Sequence, residues 1–386
     1  MNRRHFLMAA SGAAVSFGAR RRKVLIVLVD GFGPEYLAAS DMPTLKRLIS
    51  GGAFKIGEGV IPSVTNVNNA SLVTASFPAE HGITSNFFYD PATGKSVEME
   101  SSEFLLRPTV FERAAKAGIR SALVSAKDKV KTLLERGAAI AVSAEKPSPE
   151  FISSVGPKPD MYSPASNYWA FRAARQILRR DDVGMVYLST TDYMMHTYAP
   201  SHGRSLEHLH AVDRLLGEIV DDHAGLELCL TADHGMNAKT QAIDVARVLA
   251  RKGVEAEAVP IIKDKHVVHH QNLGGACYVY LANRKDLAKA SGVLRAVPGI
   301  EEVHDRAGAA REFRLLPDRI GDLFLLGARD VAFGALTAER DDVNVRSHGS
   351  RYEAAVPMLS FGRKIDIRQY RWSLDLTRRL AWEDAS

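Results

Sequence analysis

The sequence predicts an α/β protein: a three-layer core on a mainly parallel sheet, interrupted by a smaller inserted α+β unit. Three observations support this. Aliphatic and β-branched runs at residues 23–29, 120–125, 183–189 and 226–231 lack polar alternation, the mark of strands buried on both faces, and helical segments separate them. Three of these runs lead into an aspartate (Asp30, Asp192, Asp233), and open α/β sheets build their sites at the C-terminal ends of their strands. From about residue 255 the texture changes to short strands and long polar connections, and the alternation resumes near residue 336. At 386 residues the chain exceeds one typical core. The expected organisation is a leader over residues 1–22, a core over 23–254 and 336–386, and a cap over 255–335.

Taken in order, the strand at 23–29 is followed by a helix over 42–50, stopped by Gly51 and Gly52. Pro62 marks a loop, and Thr65 then stands at or just before the start of a helix running to about residue 74. Residues 79–90 are polar and aromatic without a period; Asn86 offers an amide N–H to an anion there, and His81 before Gly82 reads as a turn residue. A helix over 109–117 is closed by Gly118, and the strand at 120–125 runs into Lys127 and Lys129. Two lysines near a strand end are a candidate anion clamp; the plainer reading is a solvated helix start. A short strand at 138–142, a Pro- and Ser-rich surface crossing at 144–162 and an amphipathic helix at 165–180 come next. The strand at 183–189 precedes Asp192 and His196, a long helix covers 205–223, and the strand at 226–231 precedes Asp233 and His234. A helix is expected over 241–252. The cap holds strands at 267–268 and 276–281 and a helix at 284–296; His348, a strand at 355–361 and a closing helix at 372–382 complete the chain.

Hydrophobic residues make up 46% and charged residues 25%, which excludes wholesale disorder. The formal charge of +5 is concentrated near the N-terminus, with no Lys/Arg stripe interleaved with aromatics, so a nucleic acid polymer is not the expected partner. A basic balance suits a small anionic substrate. Two cysteines, Cys229 and Cys277, make neither a disulfide framework nor a zinc knuckle, and both sit in apolar runs as buried thiols. Arg3-Arg4 followed by Phe6-Leu7 and an Ala/Gly/Ser run resembles a twin-arginine export signal, which predicts a periplasmic protein; the alternative is a cytoplasmic one with a disordered leader. The run is too short for a stable membrane anchor. A homodimer is compatible with the sequence.

Thr65 alone reads most simply as an N-cap, because a free Thr hydroxyl is a poor nucleophile that needs activation. The rest of the chain supplies the means. Asp30, Asp192 with His196 at i+4, Asp233 beside His234, and His348 in Ser-His-Gly offer six carboxylate and imidazole ligands. Six are too many for one tetrahedral site with an open position, but they suit a pair of divalent metals, which clamp the attacking and leaving oxygens of a phosphoryl group. The remaining histidines read otherwise. His202, His208, His210 and His223 are expected on helix surfaces or loops, and His269 and His270 either line the mouth of the site or serve the core or surface.

Val-Asp30-Gly, Pro-Ser-Val-Thr65-Asn, Thr-Asp192-Tyr-x-x-His196, Ala-Asp233-His234-Gly-Met and Ser-His348-Gly together resemble the alkaline phosphatase superfamily, in its nucleotide pyrophosphatase/phosphodiesterase-like branch. The resemblance runs from Lys23 over nearly the whole chain. It implies the alkaline-phosphatase-like fold and a Thr65 nucleophile between two zinc ions. Asp192, His196 and His348 would hold one ion; Asp30, Asp233, His234 and the Thr65 oxygen would hold the other. Thr65-Asn-x-Asn-Asn, His-Gly-Ile-x-x-Asn86-Phe-Phe-Tyr-Asp and Ala-Lys127-Asp-Lys129 are similar to the phosphonoacetate hydrolases. That implies Asn86 on the phosphonyl oxygens, Lys127 and Lys129 on the substrate, and cleavage of a C–P bond through a phospho-threonine. The alternative activity is a phosphodiesterase or nucleotide pyrophosphatase, with Phe32, Phe87, Phe88 and Tyr193 as candidates for a base pocket. A non-catalytic metal- or anion-binding protein is the third class, and it would show a lost ligand where this chain has none.

Overall fold

The computed structural model describes residues 22–90, 93–263 and 270–383. The leader expected over residues 1–22 therefore lies almost wholly outside the described residues, as do His269 and the strand expected at 267–268.

The core is a seven-stranded sheet. Its strands in chain order are β1 (Val24–Leu28), β2 (Ala53–Glu58), β3 (Ser121–Ser125), β4 (Ile140–Ser143), β5 (Met185–Ser189), β6 (Glu227–Thr231) and β7 (Ala355–Phe361). Across the sheet they lie in the order β2-β7-β6-β1-β5-β3-β4. Only β7 runs against the others, pairing antiparallel with both β2 and β6. The expected mainly parallel sheet is what the chain forms.

Every residue of β1, β3, β5 and β6 is buried, as runs without alternation require. Side chains on β1 alternate between two hydrophobic cores. Val24, Ile26 and Leu28 face one, with Val67 and Ala70 of the Thr65–Thr74 helix and Phe111. Leu25 and Val27 face the other, with Trp169 and Phe171 of the Ala165–Leu178 helix and Leu209 and Leu216 of the Gly203–Asp221 helix. Helices on both faces of one sheet give the three layers.

Among the described residues three smaller sheets stand apart from the core sheet and fit a cap, but only the four-stranded one falls wholly within residues 255–335. An antiparallel four-stranded sheet joins Ala256–Pro260, Ala276–Leu281, Leu323–Gly327 and Ile300–Asp305 in that spatial order, with its own buried cluster around Val279, Leu294 and Leu325. Asn237–Ile243 lies between Val331–Phe333 and Arg340–Ser347. Phe87–Asp90 and Lys95–Glu98 form a hairpin.

Several local expectations differ. Residues 241–243 finish a strand, and the helix is only Val245–Arg251, because Asp244 caps it by accepting from the Arg247 N–H at 3.0 Å. The crossing at 144–162 contains a short helix, Pro149–Val155, which has no fully buried residue and rests on the core only through the half-buried Phe151 and Val155. In place of a closing α-helix there are 3₁₀ turns at Ser373–Thr377 and Ala381–Glu383; the Asp375 carboxylate accepts from the Arg371 and Trp372 N–H groups and tightens the first. Cys229 and Cys277 are buried free thiols, as expected. Among the described residues no helix is long and apolar enough to cross a membrane.

Candidate active site

Strand register assembles the site. Leu28 pairs with Ser189 and with Thr231, and Ser125 pairs with Ser189, so four neighbouring strands stop on one line. Asp30, Asp233 and Lys127 follow just past those ends, and Asp192 opens the short Tyr193–Thr197 helix that carries His196. Ser347 pairs with Asn237, which brings His348 beside His234; their rings stack with centroids 3.5 Å apart. All six Asp and His candidates are buried.

The distances form one cluster. His196 Nε2 lies 2.9 Å from Asp192 Oδ2, and His348 Nε2 lies 3.6 Å from the same oxygen. His234 Nε2 lies 3.4 Å from Asp30 Oδ1 and 3.4 Å from Asp233 Oδ2. Ligand atoms of Asp192, His234 and His348 fall within 4.8 Å of one another, and so do those of Asp30, Asp233 and His234. His234 is thus common to both groups, and His196 reaches the first through Asp192.

These residues fit divalent metals. Each histidine has Nδ1 on a backbone carbonyl: His196 on Arg346 at 2.6 Å, His348 on Ser63 at 2.8 Å, and His234 on Gly235 at 2.9 Å. An Nδ1–H donated to a carbonyl leaves a lone pair on Nε2, so three imidazoles point lone pairs at carboxylates, an arrangement suited to cations. Asp30 Oδ1 and Asp233 Oδ2 are buried without a hydrogen-bond partner. Charge agrees. Burial, then Asp192 and Asp233, push Asp30 well above the usual carboxylate range, and burial pushes Asp233 up to about 6. Burial acts the same way on Asp192, but the groups around it, the Lys127 ammonium first, outweigh it and hold that carboxyl well below its ordinary value. Burial lowers His234 and His348, keeping them neutral. Three carboxylates share the site with one ammonium, which bonds two of them, and the site is short of positive charge.

Thr65 is the first residue of its helix and not its N-cap. That position is Val64, which has no side chain to cap with. The Thr65 hydroxyl instead lies 3.4 Å from His234 Nε2. The first turn is pinned behind it: Asn69 donates to the Thr65 carbonyl at 3.0 Å, and the buried Tyr187 hydroxyl donates to Asn69 Oδ1 at 2.8 Å.

A cavity of about 260 Å³ opens over this cluster, lined among others by Thr65, Asn86, Lys127, Lys129, Asp192, His196 and His348. Asn86 Oδ1 is buried without a partner. Lys127 goes deeper than a substrate clamp requires: its ammonium donates to Asp30 Oδ2 and Asp192 Oδ1, each at 2.9 Å. Lys129 lies on the cavity wall. His270 is buried, lines the cavity and sits 5.9 Å from the His196 ring, which places it at the mouth of the site. His208 is buried rather than superficial, 3.5 Å from Asn167, whose amide bonds both backbone groups of Thr191 next to Asp192.

Sequence reasoning missed Glu98, Glu100, Glu145 and Tyr162 on the outer wall. It also missed Ser63 and Arg346, which act through their backbone carbonyls and so leave no trace in residue type. The proposed base-pocket aromatics do not line the cavity. Phe32 and Phe87 are core residues and Phe88 packs on Phe104, whereas Tyr162 lines the wall with Tyr193 behind it, ring centroids 6.1 Å apart.

Residues 24–351 match the family described as type I phosphodiesterase / nucleotide pyrophosphatase. Phosphonoacetate hydrolase from Sinorhizobium meliloti 1021, solved in complex with phosphonoacetate, is similar with a TM-score of 0.85 and 32% identity over 93% of this chain and 94% of that one. Murine ectonucleotide pyrophosphatase / phosphodiesterase 5 shares the fold, with a TM-score of 0.68 and 18% identity over 92% and 93% of the two chains. The venom phosphodiesterase of Naja atra is 24% identical over 253 residues, 60% of this chain and 28% of that protein. The human ectonucleotide pyrophosphatase/phosphodiesterase family member 1 is 26% identical over 235 residues, 55% and 23% respectively. The chain spans about a quarter of the length of these two relatives. Fold and site together define a member of the alkaline phosphatase superfamily. Within it, the chain belongs to the type I phosphodiesterase / nucleotide pyrophosphatase family.

Proposed function

We propose that the protein is a metal-dependent hydrolase that uses two zinc ions to convert phosphonoacetate and water to acetate and phosphate, through a phospho-threonine at Thr65. The observation that carries this reading is the Thr65 hydroxyl, 3.4 Å from His234 Nε2 at a helix start, beneath a cavity that also holds Asn86 and Lys129. The likeness to the Sinorhizobium phosphonoacetate hydrolase supports the substrate.

Asp192, His196 and His348 would hold one zinc, and Asp30, Asp233, His234 and the Thr65 oxygen the other; bound there, the ions would polarise the phosphonyl oxygens and lower the pKa of the hydroxyl. Thr65 Oγ1 attacks phosphorus. The Thr65 hydroxyl proton passes to solvent, the C–P bond breaks, its electron pair passes to the methylene carbon, and that carbon takes a proton from solvent as acetate leaves. Asn86 and the N–H groups of the first helical turn face the equatorial oxygens, where charge builds in the transition state. Lys129, with one N–H of Lys127, receives the carboxylate of the substrate. Water then attacks the phosphorus of phospho-Thr65, the P–O bond to Thr65 breaks, and phosphate leaves with the hydroxyl restored.

Thr65→Ala tests the reading. Turnover of phosphonoacetate by zinc-loaded protein is expected to fall by roughly 10³-fold or more, with metal content near that of the wild type. An alanine variant that kept most of its activity would remove Thr65 as nucleophile.

A phosphodiesterase is the second reading, favoured by the relatives and by Met161, Tyr162 and Ile262 on the cavity wall, which offer an apolar surface to a leaving group. Parallel assays on phosphonoacetate and an aryl phosphodiester separate the two by kcat/KM. The Arg3-Arg4 leader supports export to the periplasm, with residence in the cytoplasm as the alternative, and cell fractionation decides between them. We also take residues 255–335 as a cap inserted into a core of 23–254 and 336–386.

A further inference from the structure

Asp233, Asp30, Asp192 and Lys127 follow the ends of four neighbouring strands, β6, β1, β5 and β3, so a row of three carboxylates terminates in one ammonium. We propose that Lys127 is a positioning residue that sets which oxygen of Asp30 and which oxygen of Asp192 is presented to metal. This role rests on the metal-dependent reading given above.

The bonding is divided atom by atom. Lys127 Nζ donates to Asp30 Oδ2 and to Asp192 Oδ1, both at 2.9 Å. The other oxygen of each carboxylate meets the imidazoles: Asp30 Oδ1 lies 3.4 Å from His234 Nε2, and Asp192 Oδ2 lies 2.9 Å from His196 Nε2. Asp233 shows the same division by other means. Its Oδ1 accepts the backbone N–H groups of Gly31 at 3.1 Å and His234 at 3.0 Å, while its Oδ2 is left without a partner. Each carboxylate thus has one oxygen tied to the protein and the other turned to the cluster, as each histidine has Nδ1 tied and Nε2 turned in.

A carboxylate torsion is broad and roughly two-fold, so an untied Asp samples both faces, whereas a tied one does not. Asp30 and Asp192 belong to different ligand groups, and Lys127 is bonded to both. One side chain therefore fixes a ligand of each group relative to the other. An ammonium carries three donors, which leaves one for an anion in the cavity that Lys127 lines.

The test is zinc affinity without substrate, measured on the full chain by competition with a chromophoric chelator. Lys127→Met is expected to weaken zinc binding by about 10–100-fold, and Lys129→Met to leave it unchanged. Lys127→Met is further expected to lower kcat on phosphonoacetate and on an aryl phosphodiester alike, since both need the same ions. Zinc affinity equal to or tighter than wild type, with the loss confined to KM for phosphonoacetate, would overturn the proposal and return Lys127 to a simple substrate clamp. Lys127→Ala, which removes the donors and the charge together, carries the test where the Met variant does not fold, and unchanged affinity there overturns the proposal equally. A wild-type chain that binds no zinc overturns the metal reading itself; a wild type that binds it beside an unaffected Lys127→Met overturns this role alone.

Discussion

Lys239→Met is expected to destabilise the protein far more than a conservative swap of one long side chain for another. Lys239 and Glu353 form an ion pair at 2.9 Å in which neither side chain has any solvent exposure. The Lys239 ammonium also donates to the Arg329 carbonyl at 2.8 Å. Glu353 Oε1 accepts additionally from Asn237, and Oε2 accepts from the Ser350 N–H and hydroxyl. Methionine fills nearly the same volume but leaves the Glu353 carboxylate buried and without its cation. Breaking a buried pair from one side costs about 3–5 kcal/mol, and the hydrogen bonds that Glu353 keeps place this site nearer the lower figure.

The assay is urea unfolding with chelator in excess, so that metal binding to the folded chain does not mask the difference. Adding Glu353→Gln removes the orphaned charge, and the double variant is expected to recover about 1 kcal/mol or more of the loss. A loss under about 1 kcal/mol for the single variant, or a double variant weaker than the single, would refute the reasoning. The pair bears on the site as well. The Glu353 carbonyl accepts the Gly235 N–H at 2.7 Å, and Ser350 follows His348 closely, so the pair holds the His234 and His348 segments side by side. Zinc affinity is expected to fall along with stability.

Two further expectations are local. In Gly59→Ala the new Cβ would meet the Asp233 carbonyl at 2.7 Å and Asn68 Oδ1 at 2.9 Å, a backbone clash that costs about 1–3 kcal/mol; bound metal per chain is expected to drop with it, and an unchanged urea midpoint would count against the packing argument. His81 is fully buried, with Nδ1 accepting the Ile83 N–H at 3.1 Å and Nε2 bonded to Ser71 Oγ at 2.8 Å, and burial, aided by Arg319, lowers it to about 3. Between its ordinary value of 6.5 and that figure only the unfolded chain binds the proton, so stability falls as the pH drops below 6.5 and is untouched above 7. Relative to His81→Gln, the wild type is expected to lose about 1.6 kcal/mol more between pH 6.5 and 5; parallel unfolding slopes in the two proteins would disprove it.

The parts legible in sequence share a physical reason. β1, β3, β5 and β6 are buried on both faces, so their composition alone declares them, and an Asp or a Lys just past such a run is visible by position. The parts that were not legible lie where burial is partial. β2 is an edge strand with mostly half-buried residues, and Asn237–Ile243 alternates so weakly that its last residues pass for the start of the next helix. In the site, the candidate ligands were legible because metal chemistry restricts them to few residue types. The orientation of those ligands was not. It depends on bonds between residues far apart in sequence, such as Lys127 with Asp30, and on carbonyls such as those of Ser63 and Arg346, which every residue type possesses.

That contrast applies to Lys127. Strand register puts this lysine, just past the end of its strand, on the same line as the aspartates. What it bonds there is decided by sheet order. β3 lies next to β5 and one strand further from β1, so its terminal cation meets Asp192 and Asp30 before it meets anything in the cavity. Lys129, two residues on in the Asp128–Leu134 helix, lies along the cavity wall. Two lysines that look equivalent in the motif therefore stand differently, one bonded to Asp30 and Asp192 and the other on the cavity wall.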